Sequence, residues 1–567
     1  MSNHTCTPAL PRPNTTPLYP VFDSSLPILL ASPSPFALEA WETLLSSYPG
    51  ALPHSITGIL KYGVLLGYEG PEKLSLSQNL LSARLNPQTI TGQLQSDLIL
   101  SRVIHTTPDP PFISSPLSLV PKSNGGFRRI HHLSFPNNGS VNFFIPENYS
   151  TLLYTTLHDI YEKIRKAGRN CIILKKDIKD AFRNIPVAST SQWLLGFKWE
   201  GQYYKETCLP FGLATAPFLF NLFAEAFHWI LQSWLPLDLE HYLDDFIFTV
   251  PQSLATPRFL SNINTDFNLL TQALGLPMNT DKDRGGTEVV ILGVEVDTTT
   301  MEARLPTEKL QKAIQVTTST LQRSRLSLQQ AQAVAGYLSW CSNVVKLGRV
   351  YLRHLWNSIA AFPSDVHPKV QYSIPREVRE DLLWWNTLLP NFNGRYFIIQ
   401  DREIIHLYSD ASQTGLGAYY VAHNGQISLP VQTNSFSTLV PTNLKGHHIN
   451  ILEISAIQTA FHIWGIRWGR KRVVVHTDNT IACQGLIGET TRGPAFYPLR
   501  HILLTASEHD ILIQPQWISG KANKIADALS RFNWDLLANL CSHWQFPYNI
   551  SPFPTTFSDL SVPKPTA

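Results

Sequence analysis

The sequence predicts a multidomain α/β (α+β) chain in which two separate α/β units flank a helical stretch, and three observations carry that expectation. From about 117 to 300, short strand-like runs (PLSLVPK, CIILKKDI, WLLGFKW, DFIFTV and VVILGVEV) alternate with two helix-like segments around 214–234 and 262–275. Between 306 and 390 the pattern turns helical, and from about 402 strand and helix patterns alternate again. With 567 residues, 43% of them hydrophobic, the chain has enough apolar surface for several packed cores.

Taken in order, the Pro- and Ser-rich stretch to about residue 35 reads as a loose arm, and TTPDPPFISSP at 106–116 as a structured approach to a strand. The apolar run Cys171–Leu174 reads as a buried strand, with Asp177 where the strand leaves the core. PTEKLQKAIQVTTSTLQ starts with Pro306 near a first helical turn, and Ser327 is placed to cap the helix that follows. EIIHLYSDASQTGLGAYYVA reads as a strand ending at Asp410, a turn, and a paired strand with Gly415 and Gly417 at the bend. NILEISAIQTAFHIW is an amphipathic helix with Ile454, Ile457, Phe461 and Trp464 at helical spacing. RVVVHTDN is a strand ending at Asp478, and NKIADALSR opens a helix with Asp527 in its first turn; after Phe532 the sequence is again loose and Pro-rich.

Charged residues make up 15% of the chain and the net charge is +3, so any basic surface is local rather than general. The six cysteines, Cys6, Cys171, Cys208, Cys341, Cys483 and Cys541, lie far apart with no CxxC pair, which argues against a zinc site or a disulfide scaffold and for reduced, mostly buried thiols. There is no basic n-region with an apolar h-region and no run of about 18 apolar residues. The expectation is an intracellular protein, cytoplasmic or nuclear, with no membrane partner.

The chemistry begins at EHYLDDFIFTV, where Asp244 and Asp245 interrupt an apolar, strand-like segment. Two buried like charges need a cation or another strong partner. A hairpin with an acidic tip is the alternative. If Asp177 met this pair from a neighbouring strand, three carboxylates would converge with oxygen ligands suited to Mg²⁺, and two such ions about 4 Å apart serve nucleotidyl transfer.

The wider pattern resembles the catalytic core of a reverse transcriptase. The matching strings come in order: SPLSLVPKSNGGFRRIHHLS for the fingers strands, LKKDIKDAFRNIPV for the first catalytic motif, LPFGLATAPFLFN for the loop and helix beneath the template, and YLDDF for the second catalytic motif. LGLPMNTDK and VVILGVEV then resemble the lysine-bearing turn and the primer-gripping hairpin. The resemblance implies that Asp177 and Asp244 bind both metal ions, with Asp245 a weaker or more distant carboxylate. It places Lys122 and Arg128 above the incoming triphosphate, a charged hairpin tip being the plain alternative. Phe182 falls at the sugar gate, against the alternative of a buried core ring. Phe211 and Gly212 would bring backbone close to nucleotide and template, although a turn glycine is equally compatible, and Lys282 matches the lysine proposed to protonate the leaving pyrophosphate.

In the second α/β unit, Asp410, Glu453, Asp478 and Asp527 each lie near an element end, in the order strand, helix, strand, helix. Singly, Glu453 reads as a helix cap three residues after Asn450, and Asp527 as a complement to the helix dipole. Together they resemble an RNase H domain over about 400 to 532, which implies a second two-metal site cutting the RNA strand of a hybrid. Many RNase H enzymes carry a His in the loop before the last Asp; here the loop reads QWISGKANKIAD, with none. The cluster RWGRKR (Arg467, Arg470, Lys471 and Arg472 around Trp468) is either a phosphate contact or a solvated helix end.

The implied organisation is an N-terminal extension, partly disordered, over 1–98; fingers and palm over 99–300; a helical thumb or connection over 301–400; an RNase H-like domain over 401–532; and a loose tail over 533–567. The implied cofactors are two Mg²⁺ per active site, with Mn²⁺ the alternative ion. The implied partners are an RNA template, a DNA primer, the RNA–DNA hybrid and deoxynucleoside triphosphates, with element-encoded proteins such as a recombinase beside them. YGVLLGYEGP, FRRIHHLSFPNNGSVN and GKANKIADALSR most resemble DIRS-like retrotransposons, relatives of Gypsy-type elements. Either the chain is one part of a larger active element, or it is a truncated remnant that binds nucleic acid without turnover.

Overall fold

The structure, a computed structural model, describes residues 16–29, 33–122, 125–363, 367, 369–396, 402–423, 434–491 and 493–542. Cys6, the first part of the expected N-terminal arm and most of the expected tail lie outside the described residues. The chain forms two compact units, one of Met1–Val289 with Asp297–Thr300 and one of Val290–Val296 with Met301–Ala567.

The first unit opens with helices α1 (Leu38–Leu44) and α2 (Leu52–Tyr62), then strand β1 (Leu74–Leu76), α3 (Leu81–Arg84) and α4 (Pro87–Ile99). Strands β2 (Val103–Thr106), β3 (Phe112–Ser114), β4 (Leu117–Pro121) and β5 (Phe127–His131) lead to α5 (Leu157–Ala167). The remainder is β6 (Ile172–Asp177), β7 (Gly196–Trp199), β8 (Gln202–Glu206), α6 (Ala216–Trp234), β9 (Asp238–Tyr242), β10 (Asp245–Val250), α7 (Pro257–Leu274) and β11 (Arg284–Gly286). A five-stranded sheet runs β1-β3-β7-β8-β2, β4 and β5 form a separate hairpin, and a four-stranded sheet runs β11-β6-β10-β9.

The inner strands of that last sheet are β6 and β10, which is why Ile173, Phe246, Ile247, Phe248 and Val250 are all buried and DFIFTV reads as continuously apolar rather than alternating. Helix α6 is apolar on nearly every side and correspondingly buried from Ala216 to Leu231.

Residues expected to form a loose arm are part of this core. Tyr19 and Val21 are buried, and just past the stretch Trp41 is fully buried with its indole donating to the Leu274 carbonyl at 3.0 Å. Leu65 N–H donates to Val21 O at 2.8 Å. Gly275, at φ +69°, caps α7 where the Pro35 carbonyl would lie 2.0 Å from any added Cβ, so only glycine fits. Proline- and serine-rich composition suggested looseness here, and buried aromatic anchors override it.

Strands β12 (Glu288–Ile291) and β13 (Val294–Asp297) straddle the division along the chain, and the second unit continues with β14 (Glu302–Arg304), α8 (Thr307–Leu321), β15 (Arg325–Ser327) and α9 (Leu328–Cys341). Next come α10 (Arg353–Ala360), β16 (Gln371–Ser373), α11 (Arg376–Thr387), α12 (Leu389–Phe392) and β17 (Arg395–Tyr396). Pro306 stands at the N-cap of α8, and Ser327 closes a capping box with Gln330 on α9.

A second sheet then forms from β18 (Ile404–Ala411), β19 (Gly415–His423), β20 (Ser435–Leu439), β21 (Arg472–Thr477) and β22 (Leu512–Trp517), in the order β20-β19-β18-β21-β22. The first three strands are antiparallel, and β18, β21 and β22 are parallel. Helices α13 (Ile449–Trp464), α14 (Thr480–Gly488) and α15 (Phe496–Glu508) make the crossovers, and α16 (Lys524–Ser530) and α17 (Trp534–Leu540) finish the described chain. Helix α13 is buried on almost all sides rather than amphipathic. Gly415 and Gly417 lie within β19, where Cβ atoms would meet Ser530 O at 2.4 Å and Ser530 N at 2.5 Å; they admit the end of α16 against the sheet. Among the described residues no helix is long and apolar enough to cross a membrane, and Cys171, Cys208, Cys341, Cys483 and Cys541 are free and buried.

Candidate active sites

In the first unit the pairing of β6 with β10 sets Asp177 directly opposite Asp245, and the pairing of β9 with β10 sets Tyr242 opposite Asp245. Leu243 and Asp244 are therefore the two-residue turn of a hairpin. Leu243 holds φ +53°, a costly conformation for this side chain and the kind of strain that collects at functional sites. The turn is tied back by Ile178 N–H donating to Asp244 O at 3.0 Å. An acidic hairpin tip and a place beside Asp177 are therefore compatible: the hairpin carries Asp244 in its turn and Asp245 on the strand next to Asp177.

Asp177 is buried and Asp244 and Asp245 are half-buried. Burial, reinforced by the charges of Asp245 and Asp177, pushes Asp244 up to about 6. Burial also raises Asp245, against the opposing pull of Lys175, whose ammonium lies 2.9 Å from its carboxylate. Lys282 donates to both oxygens of Asp177, at 2.9 and 3.1 Å. Its burial would lower its pKa, but the hydrogen bond and charge of Asp177 win and raise it. With two ammonium groups holding two of the carboxylates, these three acids are not drawn within 4.8 Å of one another. Lys175 went unnoticed in the sequence reading, although its position two residues before Asp177 puts both on one face of β6.

Around these acids, Phe182 is half-buried, its ring 5.4 Å from Phe211 and 5.8 Å from Phe220. Gly212 has φ +117°, and an added Cβ would lie 2.0 Å from His131 O. No other residue keeps this loop in place. Lys122 and Arg128 are exposed on the β4–β5 hairpin, and the Arg128 guanidinium sits 4.6 Å over the Phe211 ring. The cation thereby joins the Phe211–Phe182 ring pair.

In the second unit, Asp410 at the end of β18, Glu453 on α13 and Asp478 just past β21 bring carboxylate oxygens within 4.8 Å of one another, a spacing compatible with a shared metal ion. Parallel pairing of β18 with β21 puts Asp410 and Asp478 at the same sheet end. Glu453 is not a helix cap: His448 fills that role through Asn450 N–H, and Glu453 lies a turn further on and buried.

Without a cation, burial and the charges of Asp410 and Asp478 push Glu453 up to about 9, and burial pushes Asp410 to about 6 despite the Ser530 hydroxyl donating to it. Glu453 Oε2 is buried with no hydrogen-bond partner. An orphaned acceptor beside two more carboxylates fits a hard divalent cation, the one partner that satisfies all three. Asp527 departs from the expected four-acid group: its carboxylate accepts from Arg531 Nε at 2.6 Å and stands 38% exposed, near enough to raise Asp410 but outside the trio.

RWGRKR occupies the other end of this sheet. Arg472 starts β21 while Asp478 follows its last residue, Trp468 is buried against Phe461 and Trp464, and Lys471 pairs with Glu403 at 2.9 Å. The cluster lies between the end of the α13 region and the start of β21, about 20 Å of strand away from the acids.

The first unit thus sets acids on two adjacent antiparallel strands, Asp177 at the end of β6 and Asp245 at the start of β10, with Asp244 in the hairpin turn and a half-buried aromatic pair nearby. Residues 120–296 match the family model described as reverse transcriptase (RNA-dependent DNA polymerase). Among solved structures, the chain is similar to the foamy viral protease-reverse transcriptase in complex with RNA/DNA hybrid, at 16% identity and TM-score 0.47, covering 84% of this chain and 62% of that one. It is also similar to the same foamy viral protein in complex with dsDNA, at 17% identity and TM-score 0.45, covering 85% of this chain and 97% of that one. The chain thus spans less than two thirds of the first of these. No curated protein matches it.

Proposed function

We propose that the protein is an RNA-directed DNA polymerase with an associated ribonuclease H, copying retroelement RNA into DNA and hydrolysing the RNA of the resulting hybrid. The observation that carries the reading is the register of β6 against β10, which sets Asp177 beside Asp245 and Asp244 inside the segment that matches the reverse transcriptase family.

On this reading Asp177 and Asp244 are the ligands of divalent ions, with Asp245 held back by Lys175. When bound, such ions, Mg²⁺ by the all-oxygen donor set, activate the primer hydroxyl and neutralise phosphate charge. Lys282 leaves Asp177 and offers its proton to the departing pyrophosphate. Lys122 and Arg128 hold the triphosphate, Arg128 braced by its ring contact with Phe211. The Phe182 ring collides with a 2′-hydroxyl and favours deoxynucleotides, and Gly212 keeps the loop that carries Phe211 close to the nucleotide.

In the second unit Asp410, Glu453 and Asp478 hold the ions of the nuclease, with Asp527 swinging from Arg531 to join them. The strand order and the orphaned Glu453 oxygen support this assignment. With no histidine in the loop before Asp527, activity is expected to remain while product release or metal turnover differs. The quoted motif strings support a place among DIRS-like elements, and the partners follow from the chemistry: RNA template, DNA primer, hybrid and deoxynucleoside triphosphates.

A non-catalytic nucleic-acid binder has one observation in its favour, the lysine-held carboxylates of the palm. Displacement of the lysines by divalent cations accounts for the same contacts. Primer extension on poly(rA)/oligo(dT) with Mg²⁺ separates the two: the polymerase adds dTTP far better than UTP and loses extension on Asp244→Asn. A folded protein that adds neither nucleotide sinks the proposal.

A further inference from the structure

Behind Phe182 lies a buried network of four charges that none of the assigned roles uses. Arg183, the next residue, points away from the ring pair and is buried. Its Nη1 is 2.7 Å from Glu206 Oε2 at the end of β8, and its Nη2 is 3.2 Å from Asp97 Oδ2 on α4. Arg129 on β5 bridges the same two acids, donating to Asp97 at 2.7 Å and Glu206 at 3.1 Å, with its guanidinium over the Phe197 ring. Two cations and two anions balance, which is what allows all four to be buried or nearly so.

The short turn 181–184 that carries Phe182 is also held from its other side. Arg102 donates to Asp180 at 2.9 Å and to Asn184 Oδ1 at 3.2 Å, and the fully buried Asn184 donates to Lys179 O at 2.8 Å. Asp180 itself sits at φ +56°. The backbone beneath Phe182 is therefore fixed by charge-assisted contacts to elements separate in sequence from the catalytic strand, while the ring itself rests against Phe211, Phe220 and the edge of the apolar core.

We infer that Arg183 is a positioning residue for Phe182: clamped by Asp97 and Glu206, it fixes the ring that selects the sugar of the incoming nucleotide. The inference rests on the polymerase reading. Arg183 holds the two acids as close charge pairs, its Nη2 and Glu206 Oε2 having no aligned hydrogen bond, and its two terminal nitrogens lie against two carboxylates at once where the single ammonium of a lysine would not.

The test uses the full chain and compares the parent with Arg183→Lys and, at the more exposed rim of the network, Asp97→Asn. Extension of oligo(dT) on poly(rA) gives kcat and KM for dTTP and for UTP. In parallel, para-fluorophenylalanine incorporated at position 182 reports the ring's surroundings by its fluorine resonance, independently of turnover. Loss of one charge-assisted contact predicts that Arg183→Lys lowers the preference for dTTP over UTP about tenfold, chiefly through KM, and shifts or broadens the resonance. A folded Arg183→Lys protein with the parent's preference and an unmoved resonance overturns the inference. If the parent extends nothing, the polymerase reading fails and the resonance alone decides whether Arg183 positions the ring. If Arg183→Lys does not fold, Asp97→Asn decides by the same two readouts, with unchanged values overturning the inference.

Discussion

Glu453→Gln is expected to make the metal-free protein more stable while removing its response to Mg²⁺. In the parent, Glu453 sits among Asp410 and Asp478 with its carboxyl pushed up to about 9 from an ordinary 4.5. The folded state therefore binds a proton that the unfolded state releases between those values, so stability falls as pH rises from 4.5 to about 9. At pH 7 the interval already crossed corresponds to about 3 kcal/mol, at about 1.4 kcal/mol per pH unit. Glutamine keeps the shape of the protonated acid and has nothing to titrate. In a chelator at pH 7 the variant should melt roughly 5–10 °C higher in the transition of the second unit, and the gap should widen toward pH 9. Mg²⁺ should stabilise the parent by satisfying three carboxylates, and should leave the variant nearly where it was. Calorimetry of the full chain with chelator and with Mg²⁺ reads both. Equal melting in chelator together with an equal Mg²⁺ shift would refute the account of this trio as a metal site built at the expense of stability.

Two further substitutions probe the palm. Gly212→Ala forces a Cβ to within 2.0 Å of the His131 carbonyl at a φ of +117°, so the loop must move. KM for dTTP should rise about tenfold or more, as expected where about 1–3 kcal/mol of backbone strain is relieved by displacing the loop, while RNA cleavage stays intact; an unchanged KM contradicts this. His131 is buried neutral, burial lowering it from 6.5 to about 3, with its Nε2 2.9 Å from Gly196 O. Its folded pKa is depressed, so the unfolded state takes up the proton first and stability is lost as pH falls below 6.5. Between pH 7 and 5 the parent should lose about 2 kcal/mol more than His131→Gln, read from urea midpoints; parallel losses would contradict the assignment.

Much of the candidate site was legible because it lies in short strings. YLDDF announced a hairpin carrying two acids, and β6 was marked by an apolar run that stops at Asp177. Asp410, Glu453 and Asp478 were each near an element end, and the structure brings their oxygens together. What was not legible depends on contacts between distant segments. The Arg183, Glu206, Asp97 and Arg129 network joins four separate elements, none of which signals a buried charge by itself. Pro35 lies in sequence that reads as loose, yet its carbonyl meets the end of α7. Asp527 matched a motif, but its side chain follows its nearest cation, Arg531, one helical turn away. The position of RWGRKR was not legible either: the register of β18 with β21 sets it at the opposite end of the sheet from the acids.

On the proposed function one chain has two separable metal-dependent activities, polymerising at Asp177, Asp244 and Asp245 and cutting RNA at the Asp410, Glu453 and Asp478 cluster. The most direct measurement uses an RNA template labelled at one end, annealed to a DNA primer labelled with a second dye, with Mg²⁺ and deoxynucleotides, so that extension and RNA cleavage are read from the same lane. The account predicts that Asp244→Asn abolishes extension and keeps cleavage of a preformed hybrid, and that Glu453→Gln does the reverse. Loss of both activities in either single variant, or extension that survives Asp244→Asn, would contradict it.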